Sequence, residues 1–377
     1  MVCIAAFIVL ILIGIVVAFL SIFNRELGRK YLKLLKKSWH CFSKRVRLQK
    51  CDTSFSDDVK TTLLKKVVIR KPKLVKPLSI TIEIASILVV VLTVWSVVEA
   101  TKAGLALWTF GTCNVSRPSS CALGAESCSL DAEDPKNPVE FVGRWFSEWG
   151  EIFSNIPDRL RDWKAENFII EPMPILNPGS SGEAALDVMD PLCSACAQSY
   201  KNQLKDEEFM QKHKVFVMLY PIPLPDGGYK FENSEIIARY FHALTLLGDD
   251  SESSEGSEIS GSSEISGGSE VSGDSAYAGL DMKLLDRIFT GKDENGDYYQ
   301  ALFNRSSKEE VEKTILSWLK EWGLHHEERD KVTEKAESDD VAERMAEIRR
   351  IVDGQIRPKG IPTLIYGGKK HLGVYKK

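Results

Sequence analysis

The residues best placed to do chemistry are two cysteines three positions apart, in Cys193-Ser194-Ala195-Cys196. If a helix starts at this pair, the first sulfur sits at its N-terminus. Unpaired N–H groups and the helix dipole there favour thiolate, the nucleophilic form of the side chain. The second sulfur, one turn further in, can then attack a disulfide made by the first. The flanking sequence predicts this placement. Ala184 to Met189 is apolar and reads as a buried strand, and a helical pattern follows the pair through about Leu204. Asp187, six residues before Cys193, falls on that strand. Desolvation raises the pKa of a buried carboxyl, which makes Asp187 a candidate acid/base group near neutral pH. A zinc site needs about four ligands. The chain has no second Cys-x-x-Cys and no His-x-His, and His325-His326 is expected at the surface, so neither a metal centre nor a cofactor is predicted.

Several elements must position these groups. Lys214 to Tyr220 predicts a second strand, closed by Pro221-Ile-Pro-Leu-Pro. From Ser234 the pattern turns helical, with Ile236, Ile237, Tyr240, Phe241 and Leu244 on one face. Residues 249–275 carry three Ser/Glu/Gly hexapeptide repeats, eight acids and no basic residue; such a composition builds no core and predicts disorder. Helices resume at about Leu280. Ser307 and Glu310 form a capping box before Val311, Ile315, Trp318, Leu319 and Trp322. A last helix is expected over 338–352. Gly360-Ile361-Pro362-Thr-Leu-Ile-Tyr, then Gly367-Gly368, then Lys-Lys-His-Leu-Gly-Val-Tyr predicts a β-hairpin.

The N-terminal part is of a different kind. Residues 2–23 and 78–100 are apolar and long enough to cross a bilayer as helices. The loop 24–77 between them holds seventeen Lys or Arg against four Asp or Glu, a net of +13 in a chain of net charge −4. Basic loops stay cytoplasmic, so a two-pass topology is expected with everything after about residue 100 outside the cytoplasm. The basic loop is assigned to topology and anionic lipid rather than to nucleic acid. Residues 101–181 read as an exported stalk with Cys113, Cys121 and Cys128, followed by an amphipathic helix in which Phe141, Trp145, Trp149 and Phe153 form a stripe. Packing of that stripe on its own domain is preferred over the headgroup layer. Five cysteines therefore lie where disulfides persist. The simpler reading of Cys113, Cys121 and Cys128 is one structural disulfide with one thiol left over. The sharper reading has one of them exchanging electrons with the Cys193 pair.

Strand, Cys-x-x-Cys, helix, strand, a long helical stretch, then Ile-Pro-Thr opening a hairpin: from about residue 182 to 377 the chain resembles the thioredoxin superfamily. The helical stretch, about 231–352, looks like the insertion of DsbA-type thiol–disulfide oxidoreductases. The resemblance implies an α/β thioredoxin-like fold with a helical insertion, preceded here by two transmembrane helices. It further implies that Cys193 is the exposed nucleophile, Cys196 the resolving cysteine and Cys193–Cys196 the disulfide. Pro362 matches the cis-proline facing the sulfurs, Ile361 the residue whose backbone pairs with bound substrate, and Asp187 the acid that moves the proton of the buried thiol. Ser194-Ala195 lacks both the histidine of strongly oxidising sites and the Gly-Pro of thioredoxins, so a less extreme potential is expected. Family members usually add a helix after the hairpin, and the helix at 138–165 is expected to take its place. The implied activity is a membrane-anchored thiol–disulfide oxidoreductase that forms, or reduces and isomerises, disulfides in exported proteins, with a membrane partner recycling the dithiol. The alternative is a non-catalytic binding or assembly module with a structural disulfide.

Overall fold

A computed structural model describes residues 75–121, 126–129, 131–254 and 276–377. The predicted span 2–23 and nearly all of the basic loop 24–77 lie outside the described residues, as does 255–275 of the acidic repeat. The chain divides into two compact units after Lys102.

Helix α1 runs Val75–Phe110, well past the predicted end near residue 100. The apolar pattern of Leu105-Ala-Leu-Trp-Thr-Phe carries it on, and Gly111, at φ +77°, stops it. Within α1, Ile87–Phe110 is 24 residues of mean hydropathy 1.7, long and apolar enough to cross a bilayer. In the first unit its large apolar side chains, Leu88, Val91 and Leu92 among them, are exposed.

In the second unit, Cys113 and Cys121 close a small loop by a disulfide. Helix α2, Pro138–Leu160, starts on Asn137, whose side chain accepts from the Glu140 amide at 2.8 Å. Its aromatic stripe packs only in part, with Trp145 and Trp149 half-buried. Trp145 meets Trp149 edge to face, Trp149 stacks on Phe153, and Phe141 and Phe153 remain 47% and 56% exposed. The residue α2 buries is Ile152, against Ala106 and Val115. Spacing by four places aromatic rings in mutual contact along one helix without requiring any other partner. The covering of the sheet comes instead from the segment after α2. Trp163 donates its amide to Gly368 at 3.0 Å, and the 3-10 turn Ala165–Phe168 packs against the first strand, with Trp163, Ala165 and Phe168 all in the main core.

Strand β1 is Glu183–Met189, helix α3 Ser194–Leu204, helix α4 Glu207–Lys212 and strand β2 His213–Leu219. The proline-containing lead-in to β1 is extended and pairs along β2 through Leu176 and Val217. The helical insertion follows: α5 Ser234–Ser254, α6 Leu280–Thr290, α7 Tyr299–Phe303, α8 Lys308–Glu321, α9 His326–Glu337 and α10 Asp339–Ile351. Both bonds of the Ser307/Glu310 capping box are present at the start of α8. The chain closes with β3, Thr363–Tyr366, and β4, Lys369–Leu372. Gly367 and Gly368 both take positive φ, as a tight two-residue hairpin demands.

The result is a mixed α/β unit. Its small sheet has the order β2-β1-β3-β4, with β2 parallel to β1 and the hairpin antiparallel. Alternation along the strands separates two apolar faces. Leu186, Val188 and Ile365 face the large core shared with the helical insertion, while Ala185, Val215 and Leu364 face Phe209 of α4. Asp187 lies in the central strand, opposite Val217 on one side and Leu364 on the other.

Candidate functional site

The sheet ends and one helix start converge on the cysteines. β1 stops at Met189, the chain turns through Asp190-Pro-Leu, and α3 begins with Cys193 as its N-cap. The Cys193 sulfur accepts from the Cys196 amide at 3.4 Å. Cys193 therefore sits where the helix directs unpaired N–H groups, the placement that favours a thiolate. From the other side the Cys193 sulfur lies 3.5 Å from the Ile361 carbonyl oxygen, and the Ile361–Pro362 peptide bond is cis. Cys193, Cys196, Ile361 and Pro362 are thus gathered at one end of the sheet.

The pairing differs from expectation. Cys193 is bonded to Cys128, not to Cys196, with an S–S length of 2.04 Å and Cα atoms 6.1 Å apart. Cys196 is a free, buried thiol. Nor is Cys193 exposed: its relative exposure is 0%. The reason is the segment 126–129, which lies over it. Cys128 donates its amide to the Ile361 carbonyl at 2.6 Å and accepts from the Ile361 amide at 2.9 Å, a two-bond antiparallel bridge. The Val374 amide donates to the Glu126 carbonyl at 2.9 Å, and the Lys230 ammonium donates to the Ser129 carbonyl. Of the three cysteines between α1 and α2, Cys113 and Cys121 make a disulfide of their own and Cys128 is the one that enters the site.

Behind the sulfurs is a buried acid pair. Asp187 is fully buried; its Oδ2 accepts from Gln203 Nε2 at 2.6 Å, while Oδ1 has no partner. Burial pushes its pKa up to about 7, against the smaller opposing effect of the Gln203 bond. Asp190, which the sequence reading passed over, is as deeply buried. It accepts from the Leu192 amide and the Ile222 amide, both at 2.8 Å, and from the Ser234 hydroxyl at 2.6 Å. Burial raises it to about 6 in spite of these bonds. The Cys196 thiol is pushed well above the ordinary thiol range, by burial first and by the charges of Asp190 and Asp187 in addition; the Asp190 amide, donating to the Cys196 sulfur at 3.3 Å, opposes the rise. A signal for Asp190 was present in the sequence: an acid before a proline, at the end of an apolar strand, must find its partners among turn amides. Gln203 and Ser234 carried no such mark, because their role depends on which helices pack beside β1.

A cleft of about 600 Å³ opens beside the bridge, bordered by Cys128, Ser129, Tyr220, Pro223, Lys359 and Ile361. Among the described residues no group of three or more His, Cys, Asp or Glu is arranged to hold a metal ion. The arrangement supports attack of a sulfur on the Cys193 sulfur, with a second thiol and two carboxylates of raised pKa close behind it.

No protein-family model matches the chain, and no curated protein does. Among solved structures, the chain is similar to a thioredoxin-like oxidoreductase from Silicibacter pomeroyi DSS-3, at 14% identity and a TM-score of 0.35, over 55% of this chain and 88% of that one. It is also similar to MdbA, a thiol-disulfide oxidoreductase from Corynebacterium diphtheriae, at 14% identity and a TM-score of 0.29, over 50% of this chain and 77% of that one. The functional reading rests on the geometry of the chain itself.

Proposed function

We propose that this chain is a membrane-anchored thiol–disulfide oxidoreductase of thioredoxin-like fold, acting on exported proteins. The observation that carries the reading is the position of Cys193, at the start of α3 against the Ile361 backbone, with the Cys196 thiol one turn behind it.

In the disulfide-forming direction the working bond is Cys193–Cys196. A client thiolate attacks the Cys193 sulfur, the Cys193–Cys196 bond breaks, and Cys196 leaves with the electron pair and takes up a proton. A second client thiolate then attacks the client's bonded sulfur and releases Cys193. The client loses two electrons and the pair gains them. In the reverse direction Cys193 attacks a client disulfide and Cys196 resolves it. Cys196 must lose its proton before it attacks, and Asp187 and Asp190, with raised pKa values, are the nearby acceptors. The anchor is the span within α1, together with residues 2–23; the basic loop 24–77 stays in the cytoplasm and a membrane redox partner recycles the pair.

The test is exchange activity of the detergent-solubilised full chain towards a reduced synthetic peptide with two cysteines, using glutathione disulfide as the recycling oxidant. Disulfide formation should outpace the uncatalysed rate and fall at least about 10²-fold in Cys193→Ser. Equal rates for the wild type and Cys193→Ser would favour a binding module with a structural disulfide.

A further inference from the structure

The segment 126–129 does more than cover the site. It adds a short extended strand beside Ile361, held through its backbone on both sides of the cysteine: Glu126 to Val374, Cys128 to Ile361, Ser129 to Lys230. Backbone pairing along an exposed edge is how an extended peptide is held independently of its sequence. The approach is close at Gly360, where an added Cβ would stand 2.6 Å from the Ser127 hydroxyl and 3.0 Å from its Cβ. The cysteine in the middle of this strand delivers its sulfur to Cys193. Each of these features describes a peptide captured by a nucleophilic cysteine, yet the peptide belongs to the same chain. A resolving thiol is also present, since Cys196 is free and its amide reaches the Cys193 sulfur.

We propose that residues 126–129 are a built-in substrate strand and that Cys128 is a third redox-active cysteine, which holds Cys193 in an internal mixed disulfide until Cys196 resolves it. This rests on the oxidoreductase reading above. The step is an isomerisation: the Cys196 thiolate attacks the Cys193 sulfur, the Cys193–Cys196 bond forms, and the Cys128–Cys193 bond breaks. Cys128 leaves as a thiolate and takes up a proton, and the proton from Cys196 passes to a buried carboxylate. No electron enters or leaves the chain, so no outside oxidant is required. In the capped form Cys193 is out of reach of a client. In the resolved form the strand can leave, and a client cysteine takes the place of Cys128. The internal strand then indicates what the site accepts: an extended peptide with a small residue before the cysteine, where Ser127 meets Gly360.

A tethered strand competes at a local concentration of roughly millimolar. Against about 10 µM peptide, Cys128→Ser should therefore speed reaction of the centre by roughly tenfold to a hundredfold, seen as a lower KM with little change in kcat. Mapping of alkylated, non-reduced peptides from the wild-type full chain, equilibrated in a glutathione buffer, should recover both the Cys128–Cys193 and the Cys193–Cys196 cross-links. In Cys196→Ser only the former should appear. Recovery of Cys128–Cys193 alone from active wild type, with an unchanged KM in Cys128→Ser, would overturn the proposal and leave the oxidoreductase reading standing. If Cys128→Ser does not fold, the wild-type mapping alone decides. Loss of exchange in every form, wild type included, would overturn both readings.

Discussion

The amide of Asp190 donates to the sulfur of Cys196 at 3.3 Å, so the first residue after the central strand holds the buried thiol in place. The Asp190 carboxylate meanwhile accepts from Leu192, Ile222 and Ser234. One residue thus ties the turn before Cys193, the chain after β2 and the start of α5 to the same point. Ser234→Ala removes one of these bonds and leaves the rest. It should cost about 1–3 kcal/mol in urea unfolding of the full chain in detergent. A loss below about 0.3 kcal/mol would contradict a structural role for that bond.

Asp187 links stability to pH. Its folded pKa, about 7, stands above the ordinary carboxyl value of 3.8. Between these values the folded state keeps a proton that the unfolded state has lost, so stability falls as pH rises from about 4 to about 7 and is level above that. One such group contributes a slope of at most about 1.4 kcal/mol per pH unit. Asp187→Asn should remove its share of the slope, leaving that of Asp190. It should also slow the steps that deprotonate Cys196 by about 10²-fold near neutral pH, without changing the first attack at Cys193. Denaturant unfolding across pH, with single-turnover exchange, measures both. A slope identical to that of wild type would contradict the assignment.

Arg344 of α10 clamps the lead-in to β1, its guanidinium donating to the carbonyls of Ile170, Glu171 and Pro172. Arg344→Met preserves much of the stem packing and leaves three carbonyls without this donor. A loss of about 2–4 kcal/mol is expected in denaturant unfolding. A change within about 0.5 kcal/mol would show that water replaces the clamp.

The candidate span within α1 predicts its own behaviour. A chain lacking residues 1–74 should remain with membranes through an alkaline carbonate wash, because Ile87–Phe110 suffices to cross a bilayer. Appearance of that chain in the soluble fraction would contradict a spanning α1.

Much of this arrangement was legible beforehand. The apolar run at β1, the Gly-Gly turn of the hairpin and the Ser307/Glu310 box all act within a few residues of themselves, and they appear where the pattern put them. What was missed acts over long separations. The partner of Cys193 lies 65 residues away, and nothing local to Cys128 distinguishes it from Cys113 or Cys121 until the strand beside Ile361 exists. Helix α9 gave no signal of its own within the helical stretch, because Val332 and Ala336 are its only buried side chains and so small an apolar face gives little periodicity. The stripe on α2 overstated its burial for the opposite reason: helical spacing aligns aromatic rings whether or not a core receives all of them, and Phe141 and Phe153 stay exposed.

On the proposed function, Cys193 is a nucleophile made reactive by its place at the start of α3. This reactivity is tested most directly in the full chain carrying both Cys128→Ser and Cys196→Ser, which leaves Cys193 without either partner. The rate at which Cys193 forms a mixed disulfide with glutathione disulfide at pH 7 is compared, by mass spectrometry, in the folded chain and in the same chain unfolded in urea. The folded chain should react at least about tenfold faster, because unpaired N–H groups at a helix start favour thiolate. An equal or slower rate in the folded chain would contradict that reactivity.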